Sequence, residues 1–288
     1  MTEHVRADAD AIVIRGEGGI RASEVVVGAA TDVGRLRTIN EDGYLAIAPA
    51  FVVVDGMGGH AAGRMATQVA LDSLYSLAGA TVTDVDTVVR AVVAAQEAIM
   101  AIPSHAAYLP GATIAGVILA WVADEQGVTR PTWVIFNIGD ARVYLLRDNM
   151  LSQVTRDHSR VQILIETGEL TPEQARHDPR RNIVTRALGG GIADSGVPDL
   201  YTVPVAAGDR FLICSDGLSD ELDDEAIATV LAAGCTAQRT AELLVAASLE
   251  GGGHDNTTAV VVDSLQVPTP PLGARAFHPG DASSQGAQ

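Results

Sequence analysis

Residues 51–60 read Phe-Val-Val-Val-Asp-Gly-Met-Gly-Gly-His, an apolar run that ends in an aspartate and a glycine turn. The valines predict a buried strand, and the Ala-rich segment that follows predicts a helix. Asp55 therefore lies at the end of a buried strand, where glycines let backbone groups approach whatever the carboxylate binds. A tight turn with an aspartate N-cap would explain the same residues, so the interpretation depends on the rest of the chain.

The composition sets limits on the class of protein. The 288 residues are 47% hydrophobic and 4% aromatic, enough for a sizeable core of mainly Val, Ile, Leu and Ala. A net charge of −17 opposes nucleic acid or an anionic membrane as the main partner. No apolar run has membrane-spanning length, and the polar N-terminus lacks the features of a secretion signal. Cys214 and Cys235 are expected to be free thiols, so we expect a cytoplasmic protein. We also expect a monomer.

The order of predicted elements favours antiparallel sheets over a doubly wound parallel sheet. We predict nine strands between residues 25 and 263 and helices at 61–77, 84–102, 225–232 and 238–249. Both pairs of helices fall between clusters of strands, and the strands do not alternate singly with helices. Thr83 and Asp86 resemble a capping box at the start of the second helix. Ile138-Gly139-Asp140-Ala141 predicts a hairpin turn between two strands.

Three segments differ from this pattern. Residues 1–23 are expected to form a loose lead-in with one short strand, and the Pro- and Gly-rich residues 266–288 a flexible tail. Residues 158–186 are charged, rich in arginine and contain short helical pieces. Because they interrupt two strand runs, we predict an insertion over one end of the sheets, with a helix beginning at Thr171-Pro172.

Acidic residues recur at predicted strand ends. Glu41-Asp42, Asp140, Asp216 and Asp255 each share the setting of Asp55, beside Gly, Asn or a turn. Several bare carboxylates at one end of a sheet would repel each other, and hard cations would make the arrangement favourable. Carboxylate and carbonyl oxygens are ligands for Mg²⁺ or Mn²⁺, and no zinc-ligand spacing is present.

The alternative for each residue is a turn cap, which we favour for Asp42 and Asp220. Two cations that share a carboxylate would acidify water and neutralise a phosphoryl oxygen. Arg37 would then hold the phosphate with its two-pronged guanidinium. A surface arginine is the alternative for that residue.

Six motifs resemble a known family when they are taken together and in order. They are Arg37-x-x-Asn40-Glu41-Asp42, Asp55-Gly56-Met57-Gly58-Gly59-His60, Gly111-Ala112-Thr113, Asn137-x-Gly139-Asp140-Ala141-Arg142, Ser215-Asp216-Gly217-Leu218-x-Asp220 and His254-Asp255-Asn256. The chain resembles bacterial metal-dependent Ser/Thr protein phosphatases of type 2C over roughly residues 24–265. The resemblance implies an α+β fold, a four-layer α-β-β-α sandwich of two antiparallel sheets flanked by helices, with a flap at about 158–186.

The resemblance also implies roles for individual residues. Two or three Mn²⁺ or Mg²⁺ ions would hydrolyse phosphoserine and phosphothreonine by metal-bound hydroxide, opposing bacterial Ser/Thr kinases. Arg37 resembles the phosphate clamp of the family. The residues that resemble metal ligands are Asp55 as the bridging ligand, the carbonyl of Gly56, Glu41, Asp216 and Asp255, with Asp140, Asp216 and Asp220 at a third, weaker site.

One departure concerns the general acid. Eukaryotic members carry a His where this chain has Met57, so His60 becomes the nearby candidate, and a packed histidine at a helix start is the alternative. Two other functions stay open: a catalytically weak phosphoprotein-binding module, and a partner-switching phosphatase that acts on anti-sigma antagonists. Bacterial membrane-anchored relatives have a spanning helix after the domain. The short polar tail here predicts a soluble protein. The resemblance implies that its partners are phosphorylated Ser/Thr proteins, kinases and their substrates among them.

Overall fold

The computed structural model describes residues 12–15, 25–59, 61–103, 109–124, 126–192 and 196–268. The strands in these residues are β1 (Ile12–Arg15), β2 (Val25–Asp32), β3 (Asp42–Ile47), β4 (Ala50–Met57), β5 (Gly111–Ala123), β6 (Thr129–Ile138), β7 (Arg142–Arg147), β8 (Met150–Gln153), β9 (Leu188–Gly189), β10 (Asp199–Pro204), β11 (Arg210–Cys214) and β12 (Thr257–Ser264). The helices are α1 (Ala61–Leu74), α2 (Val85–Met100), α3 (Arg160–Glu166), α4 (Pro172–Arg176), α5 (Asp216–Ser219), α6 (Asp224–Leu231) and α7 (Ala237–Gly251).

The strands form two sheets. The first has the order β1-β3-β4-β5-β6-β10, with β9 beside β5, and the second has the order β2-β12-β11-β7-β8. Every pairing between these strands is antiparallel except that of β1 with β3, which is parallel. The prediction of antiparallel sheets is therefore confirmed, with one parallel edge strand added inside the predicted lead-in.

Alternation along each strand divides the core into layers. On β4, Val52 and Val54 pack with α1 and α2, whereas Phe51 and Val53 point into the apolar layer between the sheets. This is the period of two that a strand imposes on its side chains. Trp133 and Phe211 meet edge to face across the two sheets, with ring centroids 5.2 Å apart. Both sheets therefore bury both of their faces.

Helices cover the two outer faces. Helices α1 and α2 pack on the first sheet, and α6 and α7 pack on the second through residues such as Leu244 and Val245. The predicted four-layer α-β-β-α sandwich is the observed architecture. Among the described helices, none combines the length and the apolar character needed to cross a bilayer.

Two local predictions are wrong. Ile138–Ala141 does not close a hairpin, because β6 belongs to the first sheet and β7 to the second, so this turn carries the chain from one sheet to the other. Helix α2 is capped by Asp84, whose side chain accepts a hydrogen bond from the Thr87 amide. The sequence pattern placed that cap one residue too early.

The insertion is attached to the turn that joins the sheets. Its helix α4 begins at the predicted place, with Thr171 and Gln174 forming a capping box. The His158 amide donates to the Gly139 carbonyl at 2.8 Å, and the Gly139 amide donates to His158 Nδ1 at 3.0 Å. The segment is therefore fixed beside Asp140. The predicted tail falls largely on 269–288, outside the described residues.

Candidate metal centre

Five acidic residues from distant parts of the chain line one cavity. Strand pairing sets Asp42 directly opposite Asp55, and the end of β6, the end of β11 and the start of β12 bring further carboxylates to the same edge. The cavity has a volume of about 220 Å³. The acidic residues that line it are Glu41, Asp55, Asp140, Asp216 and Asp255.

Asp42 lies beneath this cavity and is fully buried. Its Oδ2 accepts hydrogen bonds from Ser215 Oγ and Thr258 Oγ1, both at 2.7 Å. Burial raises the pKa of Asp42 to about 6, although the two hydroxyl donors lower it. The interpretation of Asp42 as a turn cap is wrong, because the side chain ties β3 to β11 and β12 under the cluster.

The carboxylates destabilise one another's charged forms. Burial raises the pKa of Asp55 well above its usual value, and repulsion from Asp42, Asp216 and Asp140 adds to the effect. The pKa of Asp216 is raised in the same way, by burial first and then by Asp140. Burial also raises the pKa of Asp140 to about 7, with repulsion from Asp157 as the next cause. Such a cluster favours a bound cation.

Glycines make room for the Glu41 segment. A Cβ at Gly56 would come within 2.5 Å of the Gly63 carbonyl oxygen and 2.7 Å of the Glu41 carbonyl oxygen. A Cβ at Gly63 would come within 2.4 Å of Glu41 Oε1. Both positions therefore require glycine, as expected where backbone and carboxylate oxygens gather closely.

The donor set fits Mg²⁺ or Mn²⁺. It consists of carboxylate and carbonyl oxygens, which these hard cations prefer. In the part of the chain that the structure describes, no three His, Cys, Asp or Glu side chains stand close enough to hold an ion by themselves. Mg²⁺ keeps several waters and is bound through one or two carboxylates, so such convergence is not required.

Arg37 lies at the rim of the same cavity. Its Nη2 donates to Asp255 Oδ2 at 2.6 Å, and half of its side chain is exposed. The pair sets a cation beside the acidic cluster, in the position that recognition of an anionic group requires. The structure thus brings Arg37 together with Glu41, Asp55 and Asp255.

Two predicted site residues stand apart. Asp220 is exposed, does not line this cavity, and forms an ion pair with Arg181 of the insertion at 3.4 Å. Among the described groups, it still contributes to the raised pKa of Asp216. His60, the predicted general-acid candidate, lies outside the described residues.

The comparisons with known proteins agree with this geometry. A sequence profile of the family described as Protein phosphatase 2C matches residues 38–251. The chain belongs to this family. The serine/threonine protein phosphatase PstP of Mycobacterium tuberculosis is 38% identical over 240 residues, which cover 82% of this chain and 44% of that protein. The chain thus spans less than half of that relative.

Other relatives of the family match over nearly their whole length. The serine/threonine phosphatase stp of Listeria monocytogenes is 33% identical over 81% of this chain and 93% of that protein. A crystal structure of PstP from M. tuberculosis has a TM-score of 0.73 at 36% identity, covering 83% of this chain and 98% of that one. The PstP catalytic domain in complex with two manganese ions has a TM-score of 0.71 at 35% identity, covering 83% and 98%.

In this member of the family, Met57 packs as a structural residue. Its terminal methyl lies where a Cβ on Gly111 or Gly190 would fall, so it fills the space between β5 and the segment after β9. A thioether cannot donate a proton in the way that an imidazole does. Met57 also lines the metal cavity. The difference from eukaryotic members at this position stays a prediction of the sequence.

Sequence reasoning missed the positioning role of Asn256. Its Oδ1 accepts from the Glu41 amide at 2.8 Å, and its Nδ2 donates to the carbonyls of Val33 and Ile39. One buried amide thereby holds the Arg37–Glu41 segment against the start of β12. The motif His254-Asp255-Asn256 was the only signal in the sequence, and it gave no partner.

Proposed function

We propose that this chain hydrolyses phosphoserine and phosphothreonine in proteins, with two or three Mn²⁺ or Mg²⁺ ions. The observation that carries the proposal is the single cavity that joins Asp55, Asp216 and Asp255 to Arg37. Membership of the protein phosphatase 2C family supports it, as do relatives named as Ser/Thr phosphatases and the one solved with two manganese ions.

We assign the ligands by their matching family positions. Asp55 would be the shared ligand, and the Gly56 carbonyl, Glu41, Asp216 and Asp255 would be the other groups that hold the ions. Asp140, Asp216 and Asp220 would hold a third ion. Asp220 does not line the main cavity but lines a neighbouring one together with Asp140 and Asp216, and its pairing with Arg181 agrees with a separate, weaker site.

Side chains of the protein position the phosphate and the metal-binding residues. When bound, the ions acidify water and neutralise charge on the phosphoryl group. Arg37 positions the phosphate through its guanidinium. Ser215 and Thr258 fix Asp42 beneath the site, and Asn256 fixes the segment that carries Glu41. Phosphate-monoester hydrolysis is extremely slow without catalysis, so preorganised charge is essential.

The candidate nucleophiles on nearby elements are occupied with structural roles. Cys214 is buried, and burial raises the pKa of its thiol to about 12. Ser215 Oγ donates to Asp42, so its hydroxyl is fixed in the core. A covalent phospho-enzyme on either residue does not fit this arrangement.

We extend the proposal to domain limits and partners. Residues 24–265 form the phosphatase domain, 158–186 its flap, 1–23 a lead-in and 266–288 a tail. The described cysteines are both free, which supports a cytoplasmic location. Phosphorylated kinases and their substrates are the proposed partners of a monomeric enzyme.

The test measures hydrolysis of p-nitrophenyl phosphate and of a phosphothreonine peptide with Mn²⁺. We expect EDTA or Asp216→Ala to abolish turnover, and Asp86→Ala, on the exposed side of α2, to retain it. Activity that survives both treatments would refute the metal mechanism. Phosphopeptide binding that is indifferent to metal, without turnover, would support a binding module instead. Selective turnover of a phosphorylated anti-sigma antagonist would support the partner-switching alternative.

A further inference from the structure

A second, larger cavity opens beside the metal centre. It has a volume of about 760 Å³ and lies between the insertion and the helices that follow β11. Asp140, Asn182 and Asp216 line both cavities, so the larger one is continuous with the proposed catalytic site. We call it the flap groove. A phosphorylated side chain at the metal centre would bring its neighbouring residues to this groove.

The rim of the flap groove is acidic beyond the metal ligands. Asp223, Asp224 and Glu225 stand at the start of α6, and Glu173 faces the same space from α4. Among the described residues, none of these four carboxylates has a cationic side chain within 4.0 Å. A cleft with unpaired charge of one sign attracts ligands of the opposite sign.

The arginines of the groove do not neutralise this rim. Arg142 is bound to Asp157 at 2.6 Å, and Arg181 is paired with Asp220 at 3.4 Å. Arg176 remains, and its guanidinium donates to the backbone carbonyl of Asp220 at 3.3 Å. Cations on Asp140 and Asp216 would neutralise that end of the groove and leave the four rim carboxylates without a basic partner among the described residues.

The buried carboxylate inside the groove is already assigned to the metal centre. Asp140 is only 8% exposed and faces both cavities, so the acids at the rim, and not Asp140, are left for a side chain of the substrate. The flap side contributes apolar surface from Val161, Ile165 and Pro172, beside the carboxylate of Glu173. A long side chain with an aliphatic stem and a charged end suits a groove that offers apolar surface next to carboxylates.

The adjoining cavity on the other side of Arg176 and Arg181 lacks this imbalance. It has a volume of about 540 Å³, and its acids have basic partners. Asp255 is paired with Arg37, and Glu221 hydrogen-bonds His254. Of these two cavities, the flap groove is therefore the one with unpaired carboxylates at its rim.

We propose that the flap groove selects phosphoprotein segments with lysine or arginine close to the phosphorylated residue. The proposal rests on the proposed function, because it assumes that the phosphate binds at the metal centre. The basic side chain lies along Val161 and Ile165 and places its charge against Glu173, Asp224 and Glu225.

The first test compares three phosphothreonine peptides of equal length, flanked by lysine, by alanine or by glutamate. We expect kcat/KM of the wild-type chain with Mn²⁺ to be about tenfold higher for the lysine peptide than for the alanine peptide, and lowest for the glutamate peptide. Salt of about 0.5 M should reduce the preference, because exposed charges are screened. Equal kcat/KM values for the three peptides would overturn this inference and leave the proposed function intact.

A double variant, Asp224→Asn with Glu225→Gln, assigns the preference to the groove. We expect the ratio of lysine to alanine kcat/KM to fall about fivefold. Asp223 is left in place because it caps α6 through the Ala226 amide. The control, Asp86→Asn with Glu97→Gln on exposed positions of α2, removes the same charge and should keep the ratio. An equal loss of ratio in both variants would contradict the assignment.

A binding experiment tests the groove without relying on turnover. The chain contains no lysine, since all 19 basic residues are arginine, so carbodiimide coupling to a lysine peptide meets no competing lysine amines on the protein. We expect amide cross-links on Glu173, Asp224 and Glu225, suppressed by an arginine-flanked peptide. Cross-links spread evenly over exposed acids such as Asp86 and Glu97 would refute the proposal that the flap groove binds the basic side chain. Groove cross-links without hydrolysis of any substrate would support the groove and refute the phosphatase.

Discussion

The two ends of the five-stranded sheet differ in how their carboxylates are compensated. At one end, Arg147 holds buried Asp209 through contacts of 2.6 and 2.7 Å, and Arg210 holds Asp263 through contacts of 2.6 and 2.8 Å. At the other end, Asp216 follows β11 without an ion pair among the described residues, and its pKa is strongly raised by burial and neighbouring carboxylates.

The comparison separates structural charge from functional charge. A buried carboxylate paired with an arginine guanidinium is compensated and serves the structure. A cluster of carboxylates without such partners lowers the stability of the fold and marks a functional site. At the metal end, Arg37 pairs with Asp255 at the exposed rim, and the partly buried Arg142 is bound to Asp157. Asp55, Asp140 and Asp216, which have no ion pair among the described residues, are left for a cation from solution. The predictions below test this division.

The largest effect is expected for Asp216→Asn. Activity with Mn²⁺ should fall by at least about a thousandfold, because a proposed ligand is lost. The metal-free protein should nevertheless unfold at a higher temperature, because the neutral isostere removes repulsion. Parallel assays and thermal scans in EDTA would measure both changes. A metal-free variant that is less stable than the wild type would contradict the claim that repulsion among these carboxylates destabilises the metal-free protein.

The next effect belongs to the opposite end. Arg147→Met should lower the free energy of unfolding by about 3 kcal/mol, because it leaves the fully buried Asp209 carboxylate without its arginine. Urea unfolding monitored by circular dichroism would measure the loss. Arg130→Met serves as the control, because its pair with Asp124 is largely exposed and should cost less than about 1 kcal/mol. Equal losses in the two variants would show that burial does not matter here.

The pH dependence of the metal-free protein should run opposite to ordinary acid denaturation. The folded-state pKa is raised to about 6 for Asp42 and about 7 for Asp140, above their ordinary value of 3.8. The folded state therefore binds protons more readily, so stability is lost as pH rises through these values and regained as pH falls towards 4. We expect a gain of at least about 1 kcal/mol between pH 8 and pH 5.

Denaturant midpoints in EDTA would measure this gain. Glu166 and Asp178 have pKa values lowered to about 2 by their arginine partners, so they stay ionised throughout this range. Asp216→Asn should flatten the profile, because part of the repulsion is gone. A midpoint that falls steadily from pH 8 to pH 5 would show that the carboxylates are compensated by some other means.

The smallest effect is expected for Ser215→Ala. It removes the hydrogen bond to Asp42 and the acceptor of the Thr258 amide, at a cost of about 1 kcal/mol. Because a donor to the ionised form is lost, the pKa of Asp42 should rise further. Thermal scans and NMR titration of the Asp42 carboxyl would check the two outcomes. An unchanged pKa would mean that Ser215 does not stabilise the charged form.

Much of the fold could be predicted because the relevant signals are local. The uninterrupted apolar run Phe51–Val54 indicates a strand with both faces buried, and both faces are buried in the sandwich. The cap at Thr171 was readable from four consecutive residues. The prediction of a hairpin at Ile138–Ala141 was wrong, because a short turn has the same composition whether the next strand joins the same sheet or the facing one.

The same distinction between local signals and long-range contacts applies to the candidate site. Neighbouring residues identify which carboxylates stand at strand ends beside glycines, because strand length and turn chemistry are local properties. The folded chain was needed to show that Asp42 lies opposite Asp55, that Asp220 pairs with Arg181, and that Asn256 holds the Glu41 segment. These outcomes depend on contacts between residues far apart in the chain, such as β2 with β12, and on which charges the packing leaves uncompensated.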